Sequence, residues 1–281
     1  MLSRLLRCCL VSGMLLFSTT HSIQAADPLT LTWEKNMLRI HSEQIPGGSI
    51  EIWYLEAYCR PGSTDREWRE TVIPHQTELV SRSEDGTQLT LKCRLEDGVE
   101  VTHQIRAEAD EIQFDVTAHN PTKAVSAAHW AQPCMRVGAF TGCDRKDEPY
   151  AYIQRSFVFL NGQLELMPTP GWATEARYVP GQVWAAPGVD RDDVNPRPLN
   201  PHVPSNGLIG CFSGNDEQLL AMAWEPYQEL FQGVIRCLHS DFRLGGLQPG
   251  ETKSIRGRIY LLPNDIDQLL TRYREDFPEQ N

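Results

Sequence analysis

The chain has 281 residues, 41% of them hydrophobic, with 26 Lys and Arg against 37 Asp and Glu and a formal net charge of −11. Without a basic stripe, that balance argues against nucleic acid, whose binding draws on clustered Lys and Arg that neutralise phosphates. Beyond the first residues nothing is apolar over the ~20 positions a spanning helix needs, and the length suits one large β-rich domain.

Residues 1–26 read as a secretory signal. Arg4 and Arg7 precede the apolar run Leu10–Phe17, and the small Ala25 and Ala26 precede Asp27-Pro28. The expectation is an exported protein, periplasmic or extracellular and without membrane insertion, with a single domain over 27–281. Cleavage removes two arginines and no acid, which moves the net charge from −11 to −13.

Period-two alternation dominates the next stretch and predicts strands. Leu29, Leu31 and Trp33 begin one, and Ile50, Ile52 and Tyr54 another. Leu89 to Leu95 alternates, Glu96-Asp97-Gly98 turns, and Val99, Val101, His103 and Ile105 alternate back. After a second turn at Ala109-Asp110-Glu111, Ile112, Phe114, Val116 and Ala118 form a third strand. Asp-Gly between alternating runs is a hairpin signal, so this is an antiparallel meander with one buried face.

Residues 142–206 carry nine of the 19 prolines, in clusters such as Pro168-Thr169-Pro170, which exclude long regular strands. A long loop insertion is predicted there, broken by one strand-like piece, Phe157–Leu160, with Asn161-Gly162 as its turn. Strands resume at Leu208–Phe212, Leu219–Trp224, Gly233–Leu238 and Ser254–Leu262. Asn264 is the expected cap of a terminal helix with Ile266, Leu269, Leu270 and Tyr273 on one face. The fold class is all-β, a large antiparallel β-supersandwich with a short C-terminal helix.

Six cysteines follow the signal: Cys59, Cys93, Cys134, Cys143, Cys211 and Cys237. An oxidising compartment permits three disulfides among them. Cys134 and Cys143 flank a turn-like segment and are the expected pair, whereas Cys93 on its apolar face suits a buried thiol equally well. No C-x-x-C occurs, so a zinc ribbon or thioredoxin-like site is not expected.

Two stretches, Val99–Arg136 and Ala221–Leu262, resemble the galactose-mutarotase-like supersandwich group. The first has the turn at Asp110-Glu111, a strand, and then Asn120-Pro121-Thr122 leading to a further strand; the second ends with Leu247-Gln248-Pro249-Gly250-Glu251 before a final strand. The resemblance implies a β-sandwich with a concave site and covers roughly a third of the chain after residue 26. In aldose epimerases of this group a histidine after the Asn turn acts as acid and a late-strand glutamate as base. Here the first place falls near Gln132-Pro133 and the second near His239, so simple mutarotation is not what these positions predict.

Candidate chemistry follows from the residues themselves. His239-Ser240-Asp241 combines a group titrating near neutrality with a carboxylate where the chain changes direction; it is either a general base or a histidine bonded at a strand end. His129 and Trp130, with Gln132 and Arg136, place an aromatic face beside hydrogen-bonding side chains, which suits a sugar; the alternative is a core tryptophan beside a satisfied histidine. Trp172, Arg177 and Tyr178 lie in the proline-rich segment, where Arg177 could pair with a uronate or sulfate or stay solvated. Glu56, Tyr58 and Arg60 face the same cleft or form a structural ion pair, and Glu225 and Glu229 add two acids near a strand end.

A metal set from His129, His239 and Asp241, or from His202, lacks a tight motif such as H-E-x-x-H, so neither metal nor cofactor is expected. No G-x-S-x-G elbow occurs. The functional expectation is a protein directed at an oligo- or polysaccharide, as a lyase, hydrolase or epimerase. His239 is then the base, Tyr178 or His129 the acid, and Asp241, Gln132, Trp130, Arg136, Trp172, Arg177 and Glu225 contact substrate. The alternative is a non-catalytic sugar-binding or envelope-associated module.

Overall fold

Seventeen strands in two antiparallel sheets form the described part of the chain, which in this computed structural model covers residues 29–173, 181–196, 198–233 and 236–280. The signal-like segment, Arg177 and Tyr178 lie outside the described residues. The first sheet contains β1 (Thr30–Glu34), β2 (Met37–His41), β3 (Ser49–Cys59), β4 (Val72–Ile73), β9 (Trp130–Arg136), β12 (Val183–Ala185), β15 (Tyr227–Gln232) and β16 (Cys237–Arg243). Its order is β1-β2-β3-β9-β16-β15-β12, with β4 paired to β3. The second sheet contains β5 (His75–Arg82), β6 (Gln88–Leu95), β7 (Glu100–Ala107), β8 (Glu111–His119), β10 (Ser156–Leu160), β11 (Gln163–Leu166), β13 (Pro204–Phe212), β14 (Gln218–Glu225) and β17 (Thr252–Pro263), in the order β11-β10-β13-β14-β17-β8-β7-β6-β5.

The sheets pack face to face through the alternating apolar positions that the sequence displays. Leu89, Leu91, Cys93 and Leu95 on β6, and Ile112, Phe114, Val116 and Ala118 on β8, are all buried. At the centre Tyr54 of the first sheet stacks on Phe114 and Trp224 of the second, at centroid distances of 5.1 and 6.2 Å. Offset or tilted aromatic contacts of this kind add to the area they bury. His103 is the polar member of this core; Tyr54 Oη lies 2.9 Å from its Nδ1 and Tyr58 Oη 3.0 Å from its Nε2. Both ring nitrogens are satisfied, as burial requires.

The predicted hairpin at Asn161-Gly162 is present, with φ of 53° and 76° at those residues, and it joins β10 to β11. Other features depart from expectation. The strand expected over Gly233–Leu238 includes residues 234 and 235, which lie outside the described residues; β15 ends at Gln232, and β16, antiparallel to it, starts at Cys237. His239, Ser240 and Asp241 therefore sit inside a strand. The terminal helix (Ile266–Asp276) is capped by Asp265, whose carboxylate accepts from Gln268 N at 3.0 Å, while Asn264 donates to Asp216 O instead. Leu269 and Tyr273 of that helix pack on the outer side of the second sheet with Phe157, Tyr260 and Leu262. Among the described residues no helix is long and apolar enough to cross a membrane.

Cys134 and Cys143 are not bridged, and no disulfide joins any of the six cysteines among the described residues. Strand pairing is the reason. Cys134 projects from β9 towards Cys237 of β16, whereas the Cys143 thiol turns to Thr141 O at 3.4 Å.

Candidate functional site on the first sheet

Strand alternation divides β9 and β16 into two chemistries. Ala131 and Met135, with Leu238 and Phe242, join the inter-sheet core. Trp130, Gln132, Cys134 and Arg136, with Cys237, His239, Asp241 and Arg243, take the opposite face. Two irregularities add acids to it. The register of β3 against β9 shifts between Trp53 and Ala57, and Glu56 within that stretch meets Gln132. The register of β15 against β16 shifts between Tyr227 and Glu229, and Glu229 then pairs with Asp241. Bulges of this kind re-aim side chains, and here both direct a carboxyl to the same face.

Residues 193–195 of the proline-rich segment cover this face. The Asn195 backbone N–H donates to both Glu229 carboxylate oxygens, at 3.0 and 2.9 Å. Its side-chain amide donates to Gln132 Oε1 at 3.4 Å, and Gln132 in turn donates to Glu56 Oε2 at 3.0 Å. A continuous amide–carboxyl chain thus crosses three strands. Asp193 anchors the cover a second time: its Oδ2 lies 3.0 Å from His129 Nδ1 and 3.4 Å from Arg243 Nη1, and Gln228 donates to its carbonyl.

His239 stands at the middle of the face, stacked on Phe231 with ring centroids 4.0 Å apart. Its Nε2 is 3.3 Å from Cys237 Sγ, and its Nδ1 is 3.6 Å from Asp241 Oδ1, beyond hydrogen-bond length. Both Asp241 oxygens and His239 Nδ1 lack a hydrogen-bond partner among the described residues. Asp241 and Glu229 are 0% exposed and His239 2%, whereas Glu56 is only partly buried and connects the cluster to solvent.

Burial dominates the electrostatics. It raises the carboxyl of Glu229 well above its usual range, and neighbouring Asp241 adds to the effect. Burial likewise raises Asp241, to about 7 even though His239 opposes the shift. Glu56 is raised by burial, against the favourable field of His239 and the Gln132 bond. For His239 burial disfavours the cation, but Cys237 and Asp241 outweigh it and lift the imidazolium to about 10. The cluster therefore retains protons near neutrality, as groups poised for acid–base work do.

The same sheet face continues past Cys134 to a cleft of about 380 Å³ lined by Glu51, Arg136, Asp144 and Arg236. Arg136 donates to Glu51 at 3.2 Å, and Arg236 lies 3.5 Å from Asp144. One face thus carries two guanidinium groups at its open end and a protonated acid–imidazole cluster at its covered end.

Of the residues singled out from sequence, His239, Asp241, Gln132 and Arg136 come together on this face. His129 joins its edge through Asp193 and ties the covering segment down. Trp130 is fully buried and packs on Trp68 at 6.2 Å, in a small cluster with Ala57 and Cys59. Trp172 packs against the main core. Glu225 sits on the second sheet, where Gln280 donates to it. Tyr58 faces the core, and Arg60 donates to the backbone of Val72 and Glu70. Cys134, Cys237, Glu229 and Asn195 complete the cluster. For Cys134, Cys237 and Glu229 the sequence signal is polar or thiol groups at alternate positions of otherwise apolar strands, readable once the strand bounds are right; Asn195, in the covering segment, has no such signal.

No protein-family model and no curated protein matches this sequence. Similar solved structures include a galactose mutarotase-like protein from Lactobacillus casei, 9% identical, covering 83% of this chain and 99% of the other at a TM-score of 0.43. An α-N-acetylgalactosaminidase from Bifidobacterium bifidum is 10% identical, covering 90% of this chain and 39% of the other at 0.42. A polysaccharide lyase is 11% identical, covering 90% of this chain and 34% of the other at 0.35.

Proposed function

We propose that the protein is a carbohydrate-directed enzyme that performs acid–base chemistry on the outer face of the first sheet. The observation that carries this is the Glu56–Gln132–Asn195–Glu229 chain, laid beside His239 and Asp241 and continuous with the cleft at Arg136 and Arg236. Two guanidinium groups at the open end suit an anionic substituent such as a uronate. Glu56, the partly exposed member of the chain, is the proton-transfer group. His239 and Asp241 hold a proton behind it, and Gln132 fixes the orientation of its carboxyl. Export of the chain, expected from residues 1–26, agrees with an extracytoplasmic polysaccharide or oligosaccharide as substrate.

A screen of neutral and uronic-acid saccharides tests this, recording reducing ends, unsaturated-product absorbance and anomeric interconversion. Turnover is expected on at least one anionic sugar, falling by about 100-fold or more in Glu56→Gln. Saturable binding without turnover, unchanged in Glu56→Gln, favours the sugar-binding module instead. Neither binding nor turnover on any saccharide overturns the carbohydrate reading.

A further inference from the structure

Cys134, Cys237 and His239 come from two neighbouring strands, and one donor atom from each lies within 4.8 Å of the others. All three are buried. Two thiols and an imidazole this close are a borderline-soft donor set, the kind that selects zinc-class divalent ions over calcium or magnesium. We infer that these residues form a metal site for one such ion, with Asp241 as the outer group that orients His239.

Three further features fit this geometry. The Cys237 Sγ to His239 Nε2 separation of 3.3 Å is close to the edge of a tetrahedron with metal–sulfur and metal–nitrogen bonds of about 2.3 and 2.1 Å. The other imidazole nitrogen faces the Asp241 carboxylate, which has no other partner among the described residues. A ligating histidine normally sends that second N–H to a carboxylate. Finally, a Cβ at Gly233 would lie 2.2 Å from Cys237 Sγ and 2.8 Å from His239 Nε2, so only glycine leaves room for this pair.

This inference does not rest on the carbohydrate reading. With the ion bound, His239 Nε2 becomes a ligand and proton transfer falls to Glu56. Loading releases protons, because thiol and imidazolium ligands must both be deprotonated.

The test titrates fully reduced, chelator-treated full-length protein with Co²⁺ and then Zn²⁺. The expected result is one equivalent of Co²⁺ taken up with proton release, with thiolate-to-cobalt charge-transfer bands and the intense visible bands of tetrahedral geometry, all lost when Zn²⁺ displaces the cobalt. Cys134→Ser and Cys237→Ser should each abolish the charge-transfer pattern, Cys59→Ser and Cys211→Ser should keep it, and Asp241→Asn should weaken affinity by about 10- to 100-fold. No uptake by the reduced, folded wild type overturns the inference, whether its two thiols titrate as free or re-form a Cys134–Cys237 disulfide on oxidation. So does octahedral cobalt without charge transfer.

Discussion

Tyr54 and Tyr58 close both nitrogens of His103 inside an otherwise apolar core, and burial lowers its pKa from the usual 6.5 to about 3. Cys93, 3.5 Å from Nε2, and His75 are the other titratable groups facing it. Because the folded value is depressed, the stability it protects is complete above about pH 6.5 and declines as pH falls towards 3. Over that window the unfolded chain takes a proton that the core refuses, at up to about 1.4 kcal/mol per pH unit. Urea midpoints between pH 7 and 5 should therefore fall less steeply in His103→Gln, which keeps a donor and an acceptor for the two tyrosines. Equal slopes for both proteins would show that His103 does not govern this window. At the same scale, alternation placed His103 correctly on the buried face of β7, but its two tyrosine partners come from β3 and no sequence pattern announces them. The site residues divide the same way. His239, Asp241, Gln132 and Arg136 were singled out from the sequence, although His239 and Asp241 were expected at a strand end and lie within β16. Glu229 and Asn195 acquire their role only through a bulge and a covering segment.

Elements were legible where one face is apolar and the turn chemistry is local, as in the β6–β7–β8 meander and the β10–β11 hairpin. They were illegible where neither holds. β5 is an edge strand with mostly exposed side chains, so it carries no apolar alternation. β12, three residues between prolines, exists because it pairs with β15. The β15–β16 reversal hid within a run of apolar residues, and that single misplacement moved His239 from mid-strand to a strand end. Pairing also dictates where glycine is required. Gly257 of β17 lies opposite Trp224 of β14, and a Cβ there would sit 2.4 Å from the indole ring. Gly257→Ala should cost about 1–3 kcal/mol in a denaturant melt, because Trp224 is packed against Phe114 and Phe242 at centroid distances of 5.1 and 4.8 Å. A neutral substitution would mean that the indole repacks freely.

Across the whole molecule, the two sheets divide labour. The second sheet supplies one half of the core and carries the terminal helix on its outer side. The first supplies the other half and turns an acid–imidazole–thiol face outward under residues 193–195. The cover is fastened at several points, including Asn195 on Glu229 and Asp193 on His129 and Arg243, so the covered end is held shut while Glu56 and the Arg136 cleft stay open. That division follows largely from strand alternation, which sends Ala131, Met135, Leu238 and Phe242 into the core and Gln132, Cys134, His239 and Asp241 to the other face, while two register shifts add Glu56 and Glu229. The most direct measurement is the turnover of the best saccharide from the screen by wild type and by Asp241→Asn. Asp241 is buried, has no hydrogen-bond partner among the described residues and is held next to both Glu229 and His239, so its loss should lower turnover by about 100-fold or more while the fold and its urea midpoint are largely kept. Wild-type turnover in Asp241→Asn would place the chemistry elsewhere on the molecule and contradict the assignment of this face.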